Sequence, residues 1–129
     1  MIQTLLIALF LWAETIATPA PVVTPFEQEM IAATNAARVV HGVKPLEPDA
    51  AMMAHARQYT IRMSRIGMRH SGCQWAENIA TGQATIASVI TTWLNSSRHR
   101  ANMLNARHSK IGICGYTING RTWWIQVFK

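Results

Sequence analysis

The side chains in this 129-residue chain best suited to acid–base or metal chemistry fall in two stretches. The first, His70-Ser71-Gly72-Cys73-Gln74-Trp75-Ala76-Glu77-Asn78-Ile79-Ala80, holds one of five histidines, one of two cysteines and the only acid after Asp49. The second, Trp93-Leu94-Asn95-Ser96-Ser97-Arg98-His99-Arg100-Ala101-Asn102-Met103-Leu104, carries another histidine among hydroxyls, amides and guanidiniums. Ten Lys or Arg follow Asp49 against the single carboxylate of Glu77, so that acid serves a local hydrogen bond or local chemistry, since solubility does not need it. Imidazole and carboxylate together suit zinc or a similar divalent ion and can leave a coordination position open. The two stretches are therefore expected to meet in one polar cleft lined by His70, Glu77, Ser96, His99 and Asn102, with His70, Glu77 and His99 as the metal set. The plain alternative is a structural tie, in which Glu77 accepts a hydrogen bond from a histidine and fastens a loop to a sheet. No H-E-x-x-H, Cys-x-x-Cys, G-x-S-x-G or phosphate loop is present, so no motif forces a reaction class. No catalytic residue is assigned; in a metal-dependent hydrolase, Glu77 would be the general base. His108 is expected at the surface beside Lys110, and nothing marks His41 or His55 as ligands.

Half the residues are hydrophobic, which excludes a disordered chain, and the length allows one core and one domain. The net charge of +6 favours anionic partners such as acidic polysaccharide or phospholipid head groups. No nucleic-acid module is visible, so sequence-specific nucleic-acid reading is not expected, and the domain is read as a monomer. Residues 2–13 are apolar apart from Gln3 and Thr4 and too short to span a bilayer comfortably. With Thr15-Ile16-Ala17 as the cleavage site, residues 1–17 read as a secretory signal lacking a charged start, the alternative being an uncleaved membrane anchor through residues 2–13. Export to the periplasm, cell envelope or medium is expected. Two cysteines in an exported chain imply a Cys73–Cys114 disulfide, a loop closure contributing about 3 to 4 kcal/mol in the chain-entropy account. The rival reading makes Cys73 a nucleophile with His70 as its base.

These groups must be positioned by a small set of elements. After a Pro-rich lead-in over residues 18–25, Thr24 caps a first helix with Pro25 at its first position and Glu27 completing a capping box. That helix is expected to run to about His41, burying Phe26, Met30, Ala33, Ala37 and Val40, with Gly42 ending it. Val43–Leu46 reads as a connector. A second helix from Pro48 or Asp49 to Gly67 buries Met52, Ala56, Tyr59, Met63 and Ile66, and sets Arg62, Arg65 and Arg69 on a solvated face. The methionines read as core filler. Glu77–Ala80 is a short strand, Thr85–Leu94 a third helix, and Ser96 or Ser97 caps a helical turn carrying His99, Asn102 and Met103. Asn119-Gly120 joins strand-like runs 110–118 and 121–128 in a tight hairpin. One hairpin face carries Cys114, Tyr116, Trp123, Ile125 and Val127, the other Ile111, Ile113, Trp124 and Phe128. A sheet apolar on both sides needs helices on both sides, which predicts an α+β chain folded as a three-layer α-β-α sandwich.

Over residues 26–129 the chain resembles the CAP superfamily (cysteine-rich secretory proteins, antigen 5 and pathogenesis-related proteins), also called the SCP domain, in its short bacterial form. The resemblance is carried by Asn35-x-x-Arg38, Gly42-x-x-Pro45-Leu46, His70-Ser71, Glu77-Asn78-Ile79-Ala80, Trp93, His99-Arg100-x-Asn102-x-Leu104 and Gly112 to Gly115. It implies the family's α-β-α sandwich and a central cleft in which His70, Glu77 and His99 surround a divalent metal, zinc before magnesium or calcium. It also implies a secreted binding module for a small ligand, a lipid or a cell-envelope component, with metal-dependent peptidase or esterase activity and adhesion to anionic surfaces as alternatives. Two features depart from the family pattern. Asn95, Ser96 and Ser97 stand where many eukaryotic members carry a second glutamate. Ser96-Ser97-Arg98-His99-Arg100 replaces the Ser-Pro-Gly-His-Arg common in bacteria, adding positive charge at the cleft's edge.

Overall fold

The structure, a computed structural model, describes residues 19–129, so the expected signal segment and its anchor alternative lie outside the described residues. Thr24 begins the first helix, α1 (Pro25–Val40): its hydroxyl accepts the Glu27 N–H at 3.2 Å, and the Glu27 carboxylate accepts the Thr24 N–H at 2.9 Å. Both bonds satisfy donors that a helix start would otherwise leave open. The buried face of α1 differs from the expected stripe. Val40 is 82% exposed and Phe26 is 43% exposed, whereas Glu27, Thr34 and Arg38 are buried beside Met30, Ile31 and Ala37. Apolar spacing misplaces this face because polar side chains with dedicated partners occupy part of it.

Arg38 is fully buried and has no carboxylate partner among the described residues. Its guanidinium donates instead to the carbonyls of Lys44 (2.7 Å), Met103 (2.6 Å), Asn105 (3.1 Å) and His108 (3.2 Å). A planar fork with five N–H donors can satisfy four carbonyls at once, which an ammonium cannot. One side chain of α1 thereby holds the connector and the chain that follows the fourth helix.

The helix α2 (Ala50–Ile66) starts at Asp49, whose carboxylate accepts the Met52 N–H at 3.0 Å, and ends at Gly67, where φ is 90°. Met52, Ala56, Tyr59 and Met63 are buried as expected, but Ile66 in the last turn is 42% exposed. Between the two helices the connector leads into a short strand, β1 (Glu47–Pro48), that sequence spacing did not reveal. Two residues are too few to show a period; Asn35 sets their entry by bonding both the N–H and the carbonyl of Leu46.

The remaining elements are β2 (Ala76–Thr81), α3 (Ile86–Leu94) capped by Thr85, α4 (Ser97–Leu104), β3 (Lys110–Ile118) and β4 (Arg121–Phe128). Asn119 and Gly120 take φ of 51° and 75°, the left-handed pair that a two-residue hairpin turn requires. The sheet has the order β1-β3-β4-β2, with β1 parallel to β3 and the other pairs antiparallel. Its two faces are those expected from the hairpin. Cys114, Trp123, Ile125 and Val127 join Ile79 and the buried stripe of α2, whereas Ile111, Ile113, Trp124 and Phe128 pack with residues of α1, α3 and α4. The result is a three-layer sandwich, with Tyr116 exposed near the hairpin's end. Gly112 sets the spacing of one interface: a Cβ there would lie 2.2 Å from the Met52 carbonyl oxygen, so only glycine lets α2 approach β3 this closely. Among the described residues, no helix is long and apolar enough to cross a membrane.

Candidate functional site

The strand β2 places Glu77 at the edge of a cavity of about 370 Å³, and α4 places Ser96, His99 and Asn102 opposite. His70, Arg69 and Arg98 complete its polar lining. All five residues expected in the cleft thus line one cavity although they come from separate parts of the chain. A buried polar chain sets the distance between the two walls. Gln126 donates to the Thr34 hydroxyl (2.9 Å), and Asn78 donates to Gln126 Oε1 (3.1 Å) and to the His99 carbonyl (3.0 Å). Asn102 donates to Asn78 Oδ1 at 2.9 Å and to the Glu77 carbonyl at 3.3 Å. With Asn78 and Gln126 fully buried, each missing bond would leave a costly unpaired group, so the network specifies where α4 sits on β2. Asn102 acts as a wall tie. Apolar periodicity could not find Gln126 or Thr34, because each occupies a buried position that pattern reading reserves for hydrocarbon.

The Glu77 side chain is 6% exposed and receives several donors. Its Oε1 accepts from His70 Nδ1 (2.7 Å) and the Ser71 N–H (2.9 Å), and its Oε2 accepts from the Ser71 hydroxyl. A carboxylate can only accept, so Nδ1 of His70 is the donor of this bond. His99 is held in a similar way, with Nδ1 2.8 Å from the Ser96 hydroxyl. That contact corrects the expected cap: Ser96 occupies the N-cap position of α4 but makes no side-chain capping bond. Burial, followed by the proximity of His70 and Arg98, holds the His99 imidazole below its ordinary pKa of 6.5, which keeps it neutral at neutral pH.

The chemistry of these donors fits a divalent ion in a restricted sense. His70 and His99 each engage a partner through Nδ1, so Nε2 is the ring nitrogen left to meet an ion, with Glu77 as the carboxylate that orients His70. The ligand atoms of His70, Glu77 and His99 do not all close to within 4.8 Å of one another; among the described residues, that separation is met by His55, Cys73 and Glu77.

Cys73 and Cys114, expected as a disulfide, are free thiols. Cys114 is buried under α2 with the Thr60 hydroxyl donating to its sulfur at 3.3 Å, and burial raises its pKa. The Cys73 thiol turns to the Trp75 carbonyl (3.6 Å) and Glu77 Oε2 (3.8 Å), so the two sulfurs serve different neighbours. His108 also departs from expectation. It is half-buried and stacked on Phe128 with ring centroids 5.6 Å apart, and its pKa is lowered by burial and then by Arg38. Arg62, Arg65 and Arg69 are exposed, as the helical spacing implied.

Comparison with known proteins gives a consistent result. A sequence profile described as the cysteine-rich secretory protein family, CAP, matches residues 31–128. The uncharacterized protein YkwD of Bacillus subtilis is 33% identical over 122 residues, covering 81% of this chain and 47% of that protein. Pathogenesis-related protein 1 of Arabidopsis thaliana is 29% identical over 92 residues, covering 69% of this chain and 55% of that protein. The chain therefore spans about half the length of these curated relatives. Among solved structures, an outer surface protein of Borrelia burgdorferi superposes with a TM-score of 0.71 at 19% identity, covering 78% of this chain and 89% of that one. An extracellular SCP-domain protein of Bacillus anthracis gives 0.69 at 22% identity, covering 84% of this chain and 44% of that one. At these identities the likeness is one of fold.

Proposed function

The chain belongs to the cysteine-rich secretory protein (CAP) family, and on that premise we propose that it is an extracytoplasmic binding module whose His70–His99 cleft takes a small anionic group. That group would be a free ligand, a lipid headgroup or an acidic part of a cell-envelope component. The observation that carries this reading is the composition of the cavity wall. The Glu77 oxygens are taken up by hydrogen bonds from His70 and Ser71, and the Arg69 and Arg98 guanidiniums line the same cavity beside the two imidazoles, two fixed cations against one carboxylate. A volume of about 370 Å³ lies at the small end of ligand pockets, enough for a headgroup or small acid and too little to enclose a whole lipid. The names of relatives, including a secreted protein of Candida albicans and the extracellular SCP-domain protein, support an extracytoplasmic setting.

A divalent ion, when bound, would be held by Nε2 of His70 and His99 and would supply a Lewis-acidic docking point for the ligand's oxygens. Arg69 and Arg98 oppose a bare dication and favour one that arrives with an anion. Hydrolysis with Glu77 as general base has weaker support, because hydrogen bonds from His70 and Ser71 already engage both of its oxygens. The exposed arginines of α2 support added contact with anionic surfaces, a contribution that salt would screen.

The test is calorimetry with inorganic phosphate, acidic glycans, anionic and zwitterionic vesicles and Zn²⁺, on the wild type and on His99→Ala. Anionic ligands should bind more tightly than millimolar and lose at least tenfold in the variant. Absence of any submillimolar binding overturns the reading.

A further inference from the structure

Glu77 has a second set of neighbours that the cleft does not use. Its Oε2 lies 3.9 Å from Nε2 of His55 on α2 and 3.8 Å from Sγ of Cys73 in the loop before β2. The nitrogen, sulfur and oxygen all fall within 4.8 Å of one another. The His55 ring is fixed before anything binds, lying parallel to Tyr59 (centroids 5.8 Å, 4° between planes) with Trp75 edge-on (5.5 Å, 80°). Its Nε2 is buried and has no hydrogen-bond partner among the described residues. Such an orphan costs about 1 to 3 kcal/mol and calls for an explanation.

We propose that His55 Nε2, Cys73 Sγ and Glu77 Oε2 form a zinc site that adjoins the His70–His99 cleft, shares Glu77 with it through the other carboxylate oxygen, and does not rest on the function assigned to that cleft. The donor set selects the ion: thiolate with imidazole suits zinc, whereas calcium and magnesium take oxygen ligands. Tetrahedral zinc with a sulfur at about 2.3 Å and N/O ligands at about 2.0 Å requires ligand–ligand edges of about 3.3 to 3.5 Å. The observed 3.8 and 3.9 Å edges to Oε2 are therefore closed by about half an ångström of side-chain movement.

Binding through Oε2 leaves Oε1 with His70 Nδ1 and the Ser71 N–H as an outer shell, and the Ser71 hydroxyl that donates to Oε2 keeps to that oxygen's other lone pair. Cys73 and Glu77 also border a cavity of about 250 Å³, which gives a water access to the fourth position. Charge balances: a dication with one thiolate, one carboxylate and a neutral imidazole is neutral overall. The sulfur–zinc bond forms as the sulfur–hydrogen bond breaks, so each ion bound releases one proton to solvent. A disulfide would consume the same sulfur, so zinc and the Cys73–Cys114 bond are exclusive uses of Cys73.

The test uses the described domain purified under reducing conditions and titrated with Co²⁺, whose thiolate complexes show a near-ultraviolet charge-transfer band, and with Zn²⁺ in competition. The wild type should show the band and release one proton per Zn²⁺ bound. Cys73→Ser should abolish the band, and His55→Gln should weaken Zn²⁺ binding at least tenfold. Cys114→Ser and His99→Ala should keep the band, and His99→Ala should lose the cleft ligand, so failure of one site is distinguishable from failure of the other. The proposal is overturned by folded wild type with two titratable thiols and no band, by a band that survives Cys73→Ser, or by protein isolated without reductant in which both thiols are already joined.

Discussion

Arg38→Met offers the sharpest test of how this fold positions its cleft. The substitution keeps a long, unbranched side chain in α1 while removing every donor to the carbonyls of Lys44, Met103, Asn105 and His108. The cost follows from which of those carbonyls can reach water. Lys44 and Asn105 are exposed and rehydrate readily, His108 is half-buried, and Met103 is fully buried. An unsatisfied buried acceptor costs about 1 to 3 kcal/mol, so one full penalty and one partial one sum to about 2 to 4 kcal/mol. Releasing a buried cation from its desolvation returns part of this, leaving about 1 to 3 kcal/mol of net destabilisation. For a domain of this size the loss corresponds to a drop in Tm of about 4 to 15 °C. Urea denaturation measures it directly as a lower midpoint with an unchanged slope. The loss is also local: hydrogen exchange should accelerate first over residues 97–108, the stretch that Arg38 holds and that carries His99. Arg38→Lys keeps the charge but lacks the planar fork, so it should recover less than half of the loss. If Arg38→Met unfolds within about 0.5 kcal/mol of wild type, the surface-substitution range, the four carbonyls are not held by the guanidinium in the way described.

Three further outcomes follow from the same structure. Glu27 is held below its ordinary pKa of 4.5, chiefly by its hydrogen bond with Arg57, so its contribution is present above that value and disappears as pH falls through the lower folded value; Glu27→Gln should flatten this acid limb in denaturation curves below pH 4.5. His99 and His108 have folded pKa values below 6.5, so the unfolded chain binds more protons; stability should fall as pH drops below 6.5, and His108→Gln should remove part of that slope. Gly112→Ala places a methyl 2.2 Å from the Met52 carbonyl oxygen and should cost at least about 2 kcal/mol by forcing α2 off the sheet, measured as a lower urea midpoint.

Local chemistry explains which features were legible before the fold was known. The capping box at Thr24 and Glu27 and the Asn119-Gly120 turn are complete within four residues, so their geometry follows from types and spacing alone. The alternation of the hairpin assigned both sheet faces, and from them came the three layers. The meeting of His70, Glu77, Ser96, His99 and Asn102 at one cavity was expected from residue chemistry and from the family resemblance, which implied the same sandwich as the hairpin faces. The buried face of α1 was not legible, because burial of Glu27 and Arg38 depends on partners contributed by α2, the connector and the chain after α4.

By itself, the amino-acid order determined the four helices, the three longer strands, the Thr24 capping box, the hairpin register and the family, since each depends on neighbours a few residues apart or on motifs in series. Only the tertiary structure decided how the acid at Glu77 is shared. Its carboxylate faces His70 and Ser71 on one hand and lies near His55 and Cys73 on the other, and the cysteine that export predicted as half of a disulfide is turned toward it. The physical reason is that a side chain's partners across a sandwich are set by how helices seat on a sheet. That seating depends on close approaches such as Gly112 against Met52 and on buried polar ties such as Asn78 to Gln126, which leave no periodic signature along the chain.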